Sequence, residues 1–262
     1  MSPTQHPTPY ADVNTLLLTL LTRMQIILNN RLVGFYLHGS LSLGDFDPEA
    51  SDVDFLVVTT EELREEILDS VHTMHQEIAA SGLPYATRLE GSYISRAAVR
   101  RYDSHNALHP AISVNRQLQV KHHSRSWIID RHLVREHGII LWGPLPKTLI
   151  EPISPQELRK TVYALLHDYW EKQNTASEEW SPRHWQAYAI LSMCRALYTL
   201  QYGTVIPKPQ AAVWALQTLE PAWKPLIERA LIWRHQHEKD DPTEALAFVR
   251  YTIQRSEEMD KQ

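Results

Sequence analysis

The chain has 262 residues, of which 43% are hydrophobic and 22% charged, a balance that fits a soluble globular protein of one large or two modest domains. Its formal net charge of −5 argues against a general nucleic-acid binder, which needs a basic excess. A single cysteine, Cys194, excludes an internal disulfide framework and fits a reducing, cytoplasmic setting; the apolar run around it suggests a buried core residue.

Residues 1–14 are polar and proline-bearing, without the basic-then-apolar order of a signal peptide. Residues 13–28 carry apolar side chains at helical spacing. Thr19, Thr22, Arg23 and Gln25 interrupt them, so the stretch reads as an amphipathic helix too short and too polar to span a bilayer. Residues 34–38 read as a short strand ending in Gly39-Ser40, followed by a loop rich in Gly, Asp and Pro. Residues 53–58 are mostly apolar and read as a strand buried on both faces. A charged amphipathic helix over 61–80 and a third strand over 85–94 follow. Residues 96–123 suggest turns and two short strands, and 126–137 a helix.

A proline-marked connection follows, with Ser154 as a helix cap and Glu157 three residues on. The domain boundary is placed there, giving domains 1–152 and 153–262. Helices are expected at 156–173, 183–201, 208–219, 222–237 and 242–258, an all-helical bundle rich in tryptophan.

The chemistry is concentrated in Gly39-Ser40-Leu41-Ser42-Leu43-Gly44 and, soon after, Ser51-Asp52-Val53-Asp54. Residues two apart on a strand share a face, so Asp52 and Asp54 project together from an otherwise apolar strand. Adjacent carboxylates repel, and a divalent cation compensates. Mg²⁺ prefers a few carboxylates plus phosphate oxygens to a full protein cage, so both residues are metal-ligand candidates. Glycine at 39 lets a backbone approach a ligand closely, and a helical turn opening at Ser40 offers N–H groups and a hydroxyl to phosphate. Gly44 is read as relieving crowding one turn later. Either pattern alone marks many ordinary turns and strand ends; together, between two strands, they are far rarer. The histidine pairs His122-His123 and His235-x-His237 lack zinc-motif spacing and read as surface residues.

This combination resembles the signature of the nucleotidyltransferase superfamily that includes DNA polymerase β. Within it the chain looks like the aminoglycoside adenylyltransferases that modify streptomycin and spectinomycin. The likeness rests on Leu37-His38-Gly39-Ser40, Gly44-Asp45-Phe46-Asp47-Pro48 and Ser51-Asp52-Val53-Asp54-Phe55-Leu56-Val57-Val58. Later come Arg135-Glu136-His137, Gly143-Pro144, and Gly203, Pro207-Lys208, Ala211-Ala212 and Trp214 in a G-x-x-x-P-K-x-x-A-A-x-W pattern. The resemblance implies an α+β N-terminal nucleotidyltransferase domain, a mixed sheet with flanking helices, ahead of a C-terminal all-α helical bundle that binds substrate.

It further implies ATP as co-substrate and two Mg²⁺ ions, held by Gly39, Ser40, Ser51, Asp52 and Asp54. Glu90 falls where the family has its catalytic base, and Lys208 where a lysine meets the triphosphate. The acceptor would be a hydroxylated, cationic small molecule bound between the domains, against aromatic and acidic residues; Trp180 and Glu179 are the candidates. A departure stands at Trp185-Gln186, where the family carries an Asp-Glu pair. The chain is thus expected to be a monomeric Mg-dependent adenylyltransferase that binds neither membrane nor, in general, nucleic acid. The alternatives are transfer to another small molecule, a protein or RNA, or a non-catalytic antitoxin-like binding module.

Overall fold

The computed structural model describes residues 6–114, 117–174 and 178–260. The chain divides into two compact units: Met1–Phe46 with Ser51–Pro152, and Ile153–Gln262 with the short segment Asp47–Ala50.

In chain order the first unit contains α1 (Ala11–Leu28), β1 (Leu32–Leu37), α2 (Gly39–Leu43), β2 (Val53–Thr59), α3 (Glu65–Ala80), β3 (Leu89–Ser95), α4 (Arg96–Val99), β4 (Leu108–Ile112), β5 (Gln119–His122), α5 (Trp127–His137) and β6 (Ile139–Trp142). The strands form one mixed sheet in the order β5-β4-β3-β2-β1-β6. β2 and β3 run parallel because α3 carries the chain back between them; the remaining neighbours are antiparallel.

Strand alternation sorts the core into two layers. Phe35, Leu37, Phe55 and Val57 face α1 and α3, against Leu16, Leu20, Met24, Val71, Met74 and Ile78. Tyr36, Leu56 and Val58 face the other way, onto Val99, Val134 and Ile150. A strand buried on both faces needs apolar residues at every position, which is why β2 is nearly uniform beyond Asp54. The stretch Ala11–Arg31 is in fact long and apolar enough to cross a membrane by length and composition. Its apolar side, from Val13 to Leu28 at helical spacing, lies in this core instead.

The third strand starts later than its sequence suggests. Tyr85 adopts a left-handed conformation (φ 65°) and a 3-10 turn occupies Ala86–Arg88, so extended structure begins at Leu89.

The second unit contains α6 (Pro155–Leu165), α7 (Glu171–Gln173), α8 (Arg183–Tyr202), α9 (Lys208–Thr218), α10 (Lys224–Trp233) and α11 (Thr243–Asp260). Ser154 caps α6 as its sequence implies, accepting from the Glu157 N–H at 3.1 Å. α8 packs against α6, α9, α10 and α11, and it buries Ala187, Ile190, Leu191, Cys194 and Leu197 among others. Cys194 is inaccessible and burial pushes its thiol up to about 12, so it is inert packing. α10 ends at Trp233, earlier than its apolar pattern suggests, where residues 234–238 leave the helix.

One buried polar pair in the first unit sets a pH limit. His75 is 3% exposed; its Nε2 meets the Tyr93 hydroxyl at 2.7 Å, and its Nδ1 has no partner. Burial first, then the neighbouring His72, pulls its pKa from 6.5 to about 4. In the unfolded chain the ring takes its proton near 6.5, whereas the folded protein resists until about 4. Between those values the unfolded state binds more protons, so stability is lost as pH falls through this window, by roughly 3 kcal/mol from this residue. Urea unfolding midpoints measured from pH 7 down to pH 4 should fall in that interval. The decline should be shallower for His75→Gln.

Candidate active site

The site is built where β1 ends and β2 begins. The backbone N–H of His38 donates to the Asp54 carbonyl at 3.1 Å, which ties the exit of β1 to the entrance of β2. The chain then turns at Gly39 with φ +61°, a left-handed conformation that suits glycine. A Cβ at this position would lie 1.9 Å from Asp54 Oδ2. The Asp54 carboxylate therefore rests directly against the bare Gly39 backbone. α2 follows, and Gly44 closes it in the left-handed region (φ +76°), its N–H bonded to the Ser40 carbonyl. A Cβ on Gly44 would meet nothing within 4 Å, so Gly44 serves the turn's backbone conformation and does not relieve crowding.

The parallel pairing of β2 and β3 sets Asp54 directly beside Glu90. Both line a cavity of about 280 Å³ inside the first unit, together with His38, Ser92, Ser113, Lys121, His123, Trp127 and Asp130 among others. Glu90 is an exposed residue of the cavity wall, and its carboxyl is held above the usual range. Burial is the largest cause, followed by the charges of Asp52 and Asp130; Lys121 and a hydrogen bond with Ser113 act in the opposite direction. A carboxyl held high is suited to exchanging a proton with a substrate hydroxyl.

Asp52 precedes the strand, because extended pairing starts at Val53. Arg88 holds this corner: its Nε lies 3.9 Å from Asp52 Oδ1, and its guanidinium donates to the Ser51 carbonyl. Ser51 thus contributes a backbone oxygen to the local structure. Asp52 is not among the cavity-lining residues, although Glu90 feels its charge. Ser40 lies half-buried on α2 beside Gly39 and likewise outside that lining.

Several cavity residues gave no functional signal in the sequence, among them Asp130, Lys121 and His123. Asp130 lies on the expected helix 126–137, but periodicity alone does not aim it at β3. Lys121 and His123 come from the stretch whose pattern was least regular. His123, read as a surface residue beside His122, is 2% exposed. It stacks on Trp127 with ring centroids 3.7 Å apart, and its Nε2 lies 3.1 Å from the Ser92 hydroxyl. The aromatic residue four positions on, Trp127, was the available clue. His38 is also buried, with its Nε2 unpartnered and its pKa drawn down to about 4 by burial.

Among the described residues no three His, Cys, Asp or Glu side chains group closely enough to cage a metal ion. A site for Mg²⁺ shared with phosphate oxygens does not need such a cage. The acidic corner of Asp52 and Asp54, with Asp54 against a glycine backbone, fits that chemistry.

In the helical unit, Lys208 is the first residue of α9 and its ammonium lies 3.9 Å from the centre of the Tyr188 ring. Trp185 stacks on Tyr188 at 5.1 Å and 15°, and Tyr188 remains 43% exposed. Gln186 is buried and its amide donates to the Ser181 and Asp240 carbonyls, a purely structural use. Trp180 corrects an expectation: it is 1% exposed, with its indole N–H bonded to the Gln173 carbonyl at 2.8 Å. Packing holds it, so neither ring face is available to stack on a ligand. Glu179 beside it is exposed.

A mixed sheet that sets a glycine turn against an aspartate, with a glutamate on the adjoining parallel strand, defines the nucleotidyltransferase class. Comparison with known proteins agrees. The family model for the nucleotidyltransferase domain matches residues 24–134, and that for the aminoglycoside adenylyltransferase C-terminal domain matches residues 148–256. The aminoglycoside (3'') (9) adenylyltransferases of Shigella flexneri and Escherichia coli are each 27% identical over 240 residues, covering 84% of this chain and 84% of theirs. The crystal structure of spectinomycin adenyltransferase AAD(9) from Enterococcus faecialis with ATP and spectinomycin shares the fold. Its TM-score is 0.71 at 17% sequence identity, over 93% of this chain and 98% of that one. The chain belongs to the aminoglycoside adenylyltransferase family of the nucleotidyltransferase superfamily.

Gly39→Ala tests the contact at the heart of the site. The new methyl must displace the Asp54 carboxylate and also strains the backbone, by roughly 1–2 kcal/mol. Nucleotidyl transfer should drop far more than the melting temperature does, and equal small losses in both would count against this geometry.

Proposed function

We propose that the protein transfers AMP from ATP to a hydroxyl of an aminoglycoside-type antibiotic and releases pyrophosphate. The observation that carries this reading is the register of Asp54 beside Glu90, with the Asp54 carboxylate seated on the Gly39 turn. The curated relatives are named as adenylyltransferases of the same acceptor class, which supports the reading.

In this mechanism Glu90 takes the proton of the acceptor hydroxyl. The freed oxygen bonds to the α-phosphorus of ATP, the bond from that phosphorus to the bridging oxygen breaks, and pyrophosphate departs. Asp52 and Asp54 would hold Mg²⁺, which when bound supplies charge neutralisation and polarises the α-phosphoryl group. The Gly39 backbone, Ser40 and Ser51 orient the phosphates. Lys208 contributes a compact positive charge to the triphosphate, as an ammonium does without a fixed geometry. Glu179 offers an acidic contact to a cationic acceptor in place of the acids that Trp185-Gln186 replace. Streptomycin and spectinomycin are the leading acceptors.

Incubation with ATP, Mg²⁺ and an antibiotic panel, read by mass spectrometry, should show one compound gaining the mass of AMP. Labelling of a protein or RNA instead would redirect the acceptor assignment. The absence of any product, with a tight macromolecular partner, would favour a non-catalytic binding module. Asp54→Ala should slow pyrophosphate release by about a hundredfold or more, the loss expected when several kcal/mol of transition-state stabilisation disappear. Lys208→Ala should chiefly raise the KM for ATP. Near wild-type turnover in Asp54→Ala would remove the metal assignment.

A further inference from the structure

Glu90 has partners beyond the acidic corner. The antiparallel pairing of Gly91 with Ile112 brings the end of β4 alongside it, and the same register, continued by one residue, sets Ser113 opposite Glu90, where it favours the ionised carboxylate. Lys121, on β5 of the same hairpin, places its ammonium 2.5 Å from Ser113 Oγ. Ser113 and Lys121 both line the cavity with Glu90.

The chemistry of these groups gives the chain of hydrogen bonds a direction. An ammonium only donates, so Ser113 Oγ must accept from Lys121. The Ser113 hydroxyl hydrogen is then left for the carboxylate opposite it, which when ionised only accepts. That bond to a charged acceptor is stronger than a neutral one, and it restrains rotation of the carboxyl about its last torsion, which is otherwise broad. Glu90 keeps lone pairs free for a proton from the acceptor hydroxyl.

We propose that Ser113 and Lys121 are positioning residues: a directed relay from Lys121 through Ser113 that fixes the orientation of the Glu90 carboxylate in the cavity. The proposal rests on the reading of Glu90 as the base in adenylyl transfer. It places the relay on the β4–β5 hairpin, a part of the sheet that carries neither the Gly39 turn nor the acidic pair.

The test compares Ser113→Ala, Ser113→Thr, Lys121→Met and the Ser113→Ala/Lys121→Met double variant with the wild type, using ATP, Mg²⁺ and the acceptor that the antibiotic panel identifies. Ser113→Ala and Lys121→Met should each lower kcat by about tenfold to a hundredfold, the scale of a misoriented catalytic group. The KM for ATP and the melting temperature should stay near wild type. Ser113→Thr, which keeps the hydroxyl, should recover most of the rate. The double variant should be no slower than the worse single one, because both act through one hydrogen-bonded chain. Multiplying losses, or wild-type kcat in Ser113→Ala while Asp54→Ala is inactive, would overturn the relay and leave the adenylyltransferase reading intact. If the wild type modifies no acceptor, that reading fails first, and crystal structures of wild type and Ser113→Ala decide the relay. A Glu90 carboxylate that leaves its wild-type orientation supports it, and one that stays in place refutes it.

Discussion

The contact between the Asp54 carboxylate and the Gly39 backbone constrains everything around it. A carboxylate can rest there only because position 39 has no side chain, and position 39 can turn there only because its backbone tolerates a positive φ. The hydrogen bond from the His38 N–H to the Asp54 carbonyl closes the same corner from the other side. Two consecutive residues past the end of one strand are thereby fixed against one residue of the next. The parallel register then carries that precision across to Glu90 on β3.

Charge explains why this corner is chemically poised. Asp52, Asp54, Glu90 and Asp130 bring negative charge together, and burial adds to the difficulty of ionising Glu90. Arg88, beside Asp52 at the entrance to β3, and Lys121, beside Ser113 on the edge strand β5, offset part of it. A site so arranged gains most from a ligand that brings cations, as a metal-bound triphosphate or an aminated acceptor does. The apolar layers beneath the sheet supply the rigidity: Phe55 and Val57 anchor β2 on one face, and Leu56 and Val58 on the other.

The helical unit shows how a family framework can be kept while its contacts change. The Pro-Lys pair still opens a helix, and Lys208 still carries its charge, here over the Tyr188 ring. Where relatives in the resemblance carry two acids, Trp185 joins an aromatic stack and Gln186 turns inward to bond two carbonyls. Trp180 shows the limit of reading aromatics by position: a tryptophan near a presumed ligand is an equally good packing residue, and its satisfied indole N–H reveals which it is.

Local sequence determined a good part of this protein. The 3.6-residue period of the helices, the doubly apolar β2 and the Ser154 cap are properties of short windows, and they depend little on distant partners. The Gly39 turn was legible for the same reason, since its physics lies within a few residues; the Asp-x-Asp pair was only half so, because Asp52 stands before β2 and outside the cavity lining that Asp54 joins. What no window contains is pairing between strands. Only the tertiary structure set Ser113 and Lys121 beside Glu90, aimed Asp130 into the cavity, bound Arg88 to the acidic corner, and brought His123 to Ser92. Those contacts join residues from different strands and helices, whose relative placement is decided by sheet register and by which faces share a core.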